Sequence, residues 1–114
     1  MLERVAAGEP DPACRECGGI LKPDVVLFEE AMPVLETDRA MHLAYDADAV
    51  ISIGSTLGVY PAAYVPIRAV ETGAVFVIVN QGATDLDGLA DALIDGPAGR
   101  IVTALVEALA RPAP

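Results

Sequence analysis

Short apolar runs recur along the chain at residues 24–28, 49–53 and 75–79, with a briefer one at 92–94. Runs of this length, rich in β-branched residues, predict buried strands. Between them the apolar spacing moves to the helical period. Met41 and Tyr45 stand four apart in residues 38–45, which predicts a short helix capped by Thr37 or Asp38. Residues 61–72 suit a second helix, with Pro61 in its first turn and Gly73 past its end. Pro66 inside that pattern demands a kink or a late start. Ile101, Leu105 and Leu109 share one face of a third helix from about residue 99 to 110. Residues 1–13 carry Gly8, Pro10 and Pro12 and no sustained period, so they read as irregular chain. Strands alternating with helices predict an α/β fold, a sheet of about four parallel strands in the doubly wound style. Such sheets bind ligands at the carboxyl ends of their strands. Phe28-Glu29-Glu30, Gly54-Ser55-Thr56 and Asn80-Gln81 all fall there.

With only two Phe, three Tyr and no Trp, the core must be built from Ala, Val, Leu and Ile. Seven basic residues face seventeen acidic ones, a formal charge of −10. Tracking a phosphate backbone needs a basic face, so nucleic acid is not an expected partner. No apolar run approaches the roughly 20 residues that span a bilayer, and Met1 to Arg4 lead into no apolar signal core. The expectation is therefore no membrane partner. The only cysteines, Cys14 and Cys17, form a C-x-x-C pair rather than a spread disulfide framework, which points to a reducing cytoplasm.

That pair, closed by Gly18-Gly19, is the sharpest chemical signal. A turn of this spacing offers two thiolates to zinc, which takes four tetrahedral ligands, and nothing else in the chain completes the set. The pair reads as half a zinc site; two unrelated structural cysteines are the plainer alternative. A thioredoxin-like motif would open a helix after a strand, whereas Pro10 and Pro12 precede the pair here. Gly54-Ser55-Thr56 offers backbone N–H groups and two hydroxyls, but taken alone it could simply be a turn. No G-x-G-x-x-G is present. Asn80 could hydrogen-bond a ribose or close a turn. His42, the single histidine, reads as a helix-surface or packing residue rather than a general base. Glu29 and Glu30 read as a solvated loop.

Taken together, these residues resemble the sirtuin family. Residues 10–28, from Pro10-Asp11-Pro12-Ala13-Cys14 to Val25-Val26-Leu27-Phe28, look like its second zinc cysteine pair running into the strand before the substrate loop. Ile53-Gly54-Ser55-Thr56-Leu57 looks like the family's Gly-Thr-Ser motif. Ile78-Val79-Asn80, followed by Thr84, Asp87 and Ala90-Asp91, looks like its closing strand and loop, and Gly96-Pro97-Ala98 like the segment lying against the adenine. The resemblance implies a Rossmann-like NAD-binding domain beside a small zinc module, and NAD-dependent removal of an acyl group from protein lysine with release of nicotinamide. By the same resemblance Gly54, Ser55, Thr56, Asn80 and Ala98 would contact the adenosine half of NAD. Val26 would offer its carbonyl to the acyl-lysine amide, and Phe28, Glu29 and Glu30 would pair with the substrate peptide as an added strand. Cys14 and Cys17 would be structural zinc ligands.

The chain departs from the family pattern in two places it covers. Phe28-Glu29-Glu30 stands where Phe-Gly-Glu is usual, and Ser55-Thr56 exchanges the usual Thr-Ser order. It also shows no Gly-Ala-Gly-x-Ser phosphate loop, no Gln-Asn-Ile-Asp segment, no histidine-glycine motif and no first cysteine pair. The expected organisation is a zinc-module remnant at 1–23, the C-terminal half of a Rossmann-like domain at 24–110 and a tail at 111–114. No catalytic residue is expected, and the chain reads as a fragment, inactive alone. The alternative is a non-catalytic remnant that binds a nucleotide or a protein. An uncovered sheet edge or a shared zinc would lead such a chain to self-associate.

Overall fold

Val75-Phe76-Val77-Ile78-Val79-Asn80 forms the central strand because its neighbours pair with it on both sides. The computed structural model describes residues 1–110. In chain order they form α1 (Leu2–Ala6), α2 (Val34–Tyr45), β1 (Ala49–Ile53), α3 (Tyr64–Glu71), β2 (Val75–Asn80), β3 (Ala92–Asp95) and α4 (Ala98–Leu109), with a 3₁₀ turn at Asp87–Leu89 before β3. The sheet runs β1-β2-β3 and is parallel throughout, with Val50 opposite Phe76 and Ile78 opposite Leu93. The expected α/β class stands, with three strands among the described residues instead of about four.

The chain divides into two compact units, Met1–Met32 and a second that begins at Pro33. In the second, side chains alternate across the sheet, so Val50, Phe76 and Ile78 share a face. Phe76 and Ile78 are buried there with Leu57 and Leu86, and Val50, Ile67 and Val70 pack against them. Smaller residues bring the helices close: Ala44 of α2, Ala69 of α3 and Ala74 form a second buried cluster with Val50 and Val65. Asp91 locks the start of the sheet. Its carboxylate accepts the Phe76 N–H at 2.8 Å, and its own N–H donates to the Phe76 carbonyl at 2.8 Å. β1 keeps one edge uncovered among the described residues, and Ile51 and Ile53 remain about half exposed.

Pro66 behaves as the pattern required. The helix expected from residue 61 starts late, at Tyr64, so Pro66 falls in its first turn, where no N–H is needed. Two expectations for α2 change. The helix opens four residues earlier than expected, at Val34, and neither Thr37 nor Asp38 caps it; Pro33 is the N-cap and makes no side-chain cap bond. The Thr37 hydroxyl instead donates back to the Pro33 carbonyl at 2.8 Å.

The first unit corrects two more. Residues 2–6, expected to be irregular, form a single short helix whose Arg4 ties it down, bonding Glu9 and the Ala13 carbonyl. Residues 24–28, expected to be a strand, are bends, turn and irregular chain. The physical reason is competition for the backbone: Lys22 donates to the Val25 carbonyl, and the Leu27 N–H donates to the Glu30 carboxylate. Val25, Leu27 and Phe28 are all more than half exposed, so no burial favours a strand. Residues 111–114, expected as a tail, lie outside the described residues. No described helix is long and apolar enough to cross a membrane.

Candidate functional site

The carboxyl ends of the three strands bring the polar segments of the second unit together. As β1 ends, the Gly54 N–H donates to the Val79 carbonyl at 2.8 Å, and Gly54 turns the chain with φ +65°. That left-handed conformation suits glycine, and a Cβ there would meet nothing within 4 Å, so the loop's outer surface is open. The Leu57 N–H donates to the Ser55 hydroxyl at 3.2 Å. The Thr56 carbonyl accepts the Asp85 N–H at 2.9 Å, which fastens this loop to the one after β2. In this chain's Ser-Thr order, the serine shapes the turn while the exposed Thr56 hydroxyl has no partner among the described residues.

Leu57 was not legible as a site residue. Its φ is +57°, a region that leucine rarely enters, yet its side chain is buried with Phe76 and Ile78. Core burial therefore holds a strained backbone at the loop, a pattern typical of ligand-binding segments.

At the end of β2 the Asn80 side-chain amide donates to the Gly82 carbonyl at 3.0 Å, and the Asn80 carbonyl accepts the Gly96 N–H at 3.0 Å. The Asn80 amide oxygen accepts nothing from the described residues. Asp95 closes β3 and accepts the Gly82 N–H at 3.0 Å. Asp87 accepts both the N–H and the hydroxyl of Thr84, the latter at 2.6 Å. Ile78 and Leu93 floor a groove of about 250 Å³ that Ile94 also lines, with Asn80, Asp87 and Asp95 among its polar lining. An apolar floor with few convergent polar groups suits a flat heterocycle and its sugar. The lining holds two carboxylates and no Lys or Arg, a poor setting for phosphate. Ala98 begins α4 just beyond Gly96-Pro97, after the end of β3. Thus Gly54, Ser55, Thr56, Asn80 and Ala98 all lie at the strand ends, and Asp87 and Asp95 join them as lining that the motifs had not marked as binding residues.

His42 is on α2, exposed, with Nδ1 2.8 Å from the Asp38 carbonyl. A carbonyl only accepts, so Nδ1 carries the proton in that bond.

Cys14, Cys17, Val26, Phe28, Glu29 and Glu30 belong to the first unit. The Gly18 N–H donates to the Cys14 carbonyl at 2.9 Å and the Cys14 N–H to the Gly19 carbonyl at 2.8 Å, closing a tight turn. Hydrogen bonds from the backbone of Cys17 and Glu16 and from the Cys17 thiol, with the positive charge of nearby Arg4, lower the Cys14 pKa. A thiol eased toward thiolate in a closed turn fits a zinc ligand pair. The pair supplies two donors, and no group of three or more His, Cys, Asp or Glu among the described residues could hold a metal.

The Val26 carbonyl accepts no bond from the described residues, and Phe28 is 88% exposed. Glu30 is held by the Leu27 N–H first and by Lys22 at 2.9 Å second, which together lower its pKa. Glu29 has φ +70°, so an acid occupies a left-handed position that favours glycine. That costs about 1 kcal/mol against glycine. Glu29→Gly is expected to change the stability of the first unit by less than about 1 kcal/mol, because relief of strain is offset by the chain entropy of glycine. Urea melts of the two proteins check it, and a loss above 2 kcal/mol would mean that Glu29 makes a contact not described above.

Comparison with known proteins follows this geometry. The model of the Sir2 family matches residues 2–61. The NAD-dependent protein deacetylase of Caldivirga maquilingensis is 46% identical over 93 residues, covering 82% of this chain and 35% of that protein. The NAD-dependent protein deacylase of Pyrococcus furiosus is 41% identical over 100 residues, covering 88% of this chain and 40% of that protein. Among solved structures, one of a Sir2 enzyme superposes with a TM-score of 0.76 at 39% identity, over 93% of this chain and 44% of that one. A Sir2–p53 peptide–NAD+ complex gives 0.74 at 30% identity, over 94% and 44%. The chain thus spans less than half the length of these relatives. Matched by the family model over more than half its length and by solved relatives over nearly all of it, this chain belongs to the Sir2 family.

Proposed function

We propose that this chain carries the adenosine-binding part of a NAD-dependent protein-lysine deacylase, together with the segment that receives the acylated peptide. The groove at the ends of β2 and β3 carries the reading: an apolar floor, the open amide oxygen of Asn80, two carboxylates and no basic residue. Such a rim accepts hydrogen bonds from ribose hydroxyls or an exocyclic amine and disfavours phosphate. The Thr56 hydroxyl and the open face of Gly54 extend it toward the rest of the dinucleotide. In the whole enzyme NAD would supply the nicotinamide leaving group and the ribose that receives the acyl group. In the first unit, the free Val26 carbonyl and the exposed Phe28 would meet the peptide as an added strand, with Glu29 and Glu30 closing that loop. Cys14 and Cys17 serve as structural zinc ligands, and their free thiols suit a reducing cytoplasm.

Calorimetric titration tests the nucleotide half. Adenosine is expected to bind as tightly as ADP-ribose, since the described groove offers nothing to the phosphates. Asn80→Ala should weaken adenosine about tenfold, the loss of one hydrogen bond. Adenosine that fails to bind, or binds Asn80→Ala unchanged, removes the groove from the nucleotide site.

A further inference from the structure

Lys22 is the only lysine in the sequence, and its ammonium turns back onto the chain. Nζ donates to the Val25 carbonyl at 3.0 Å and to Glu30 Oε2 at 2.9 Å. The same Oε2 accepts the Leu27 N–H at 3.0 Å. Two backbone bonds complete the arrangement: the Val25 N–H donates to the Pro23 carbonyl at 2.9 Å, and the Glu30 N–H to the Leu27 carbonyl at 3.1 Å. The backbone N–H and C=O of Val25 and of Leu27 are therefore all taken. Those of Val26 and Phe28 have no partner among the described residues. Taken and free residues alternate along 25–28, as they do in a strand that is paired on one side and open on the other. Here the side chains of Lys22 and Glu30 stand in for the neighbouring strand.

We propose that Lys22 and Glu30 are positioning residues for the substrate peptide: their clasp occupies Val25 and Leu27 and leaves Val26 and Phe28 ready to pair with an extended chain. The inference rests on the reading of residues 26–30 as the segment that receives the acylated peptide. Its physical basis is pre-organisation. A peptide that adds as a strand needs alternate backbone donors and acceptors held open, and a loop fixed in that state does not lose ordering entropy on binding. Lysine suits the task because its ammonium carries several donors and can serve a carbonyl and a carboxylate together. Glu30 suits it because an ionised carboxylate accepts from the cation and from an N–H at once. Both side chains are partly exposed, 50% and 39%, so water screens the pair and it adds little to folding. Its effect is local, on the state of the loop before the peptide arrives.

The full chain, labelled with ¹⁵N, is titrated with a short acetyl-lysine peptide while its amide spectrum is followed. In the wild type the Val26 and Phe28 amides are expected to shift most, and the Leu27 amide, held by Glu30, to shift least. Lys22→Met removes the cation and every donor, and should weaken the peptide about fivefold, the upper range of what one exposed ion pair supplies. Lys22→Arg keeps a cation and its donors and should restore wild-type binding. Glu30→Gln keeps an acceptor for the Leu27 N–H but loses the ion pair, and should weaken the peptide as Lys22→Met does. If the two residues act as one clasp, the double variant binds no worse than the weaker single variant. Unchanged amide shifts over residues 2–19 show that the first unit keeps its fold; where Lys22→Met disturbs them, Lys22→Gln serves in its place. A wild type that binds the peptide no better than Lys22→Met would overturn the clasp and leave the peptide segment standing. Additive losses in the double variant, or no rescue by Lys22→Arg, would overturn it as well. A wild type whose amides at 24–30 ignore the peptide would overturn both the clasp and the reading on which it rests.

Discussion

Phe76→Ala is expected to abolish the cooperative unfolding transition of the second unit. Phe76 is fully buried at the centre of β2, among Leu57, Ile78 and Leu86, and it is one of only two phenylalanines in the chain. Removing a buried aromatic ring costs about 3–5 kcal/mol through lost transfer energy and the cavity left behind. A unit of roughly 80 residues has a total stability on the order of 4–12 kcal/mol. The rest of its core is alanine and aliphatic side chains, which cannot collapse into a ring-sized void without moving the sheet. Differential scanning calorimetry should show a sharp peak for the wild type and a broad or absent one for the variant. A variant that melts within a few degrees of wild type would mean that the core does not depend on this ring.

The second large effect concerns catalysis. The chain is expected to release no deacylated product from an acetyl-lysine peptide and NAD above a control without protein. The residues gathered at the strand ends include no histidine, cysteine or lysine, and Asp87 and Asp95 accept hydrogen bonds from loop N–H groups. His42 does not fill the gap, because it is exposed on α2 and is not among the residues that line the groove. His42→Ala should therefore leave the null result and the adenosine affinity unchanged. Turnover that disappears with His42 would place the catalytic group on α2 and refute this assignment. Adding the portion of a Sir2 relative that this chain does not span, as a separate polypeptide, gives the complementary measurement. Restored turnover that falls with Asn80→Ala would tie the groove to the reaction.

The sheet was legible because β1 and β2 are runs of Val and Ile bounded by Asp48, Gly54, Gly73 and Asn80, and no local hydrogen bond competes with pairing. The run at 25–28 is likewise wholly apolar, yet Lys22 and Glu30 engage its backbone and its side chains stay exposed. Composition cannot tell these cases apart, since the difference lies in side chains three or more residues away. The N-terminus of α2 was missed for a related reason. Thr37 looked like a cap, but its hydroxyl reaches back to Pro33 and the helix begins a turn earlier. Among the site residues, Gly54 and Asn80 were readable as the residues that end strands. Asp95 could have been found in the same way, as the polar residue closing β3. Leu57 carries no such signal: its positive φ is imposed by what its side chain touches, not by its residue type.

Leu57 joins two properties that most proteins keep apart. Its backbone shapes the loop at the end of β1, and its side chain fills the core beneath. Relaxing the loop to an unstrained conformation would pull the leucine out of the core, and loosening the core would free the loop. Hydrogen exchange at the Leu57 amide, bonded to Ser55, should therefore slow to the rate of the buried β2 amides instead of the rate of an exposed turn. A ligand that grips this loop would raise the melting temperature of the whole second unit, so thermal shift becomes a direct readout of occupancy at the strand ends.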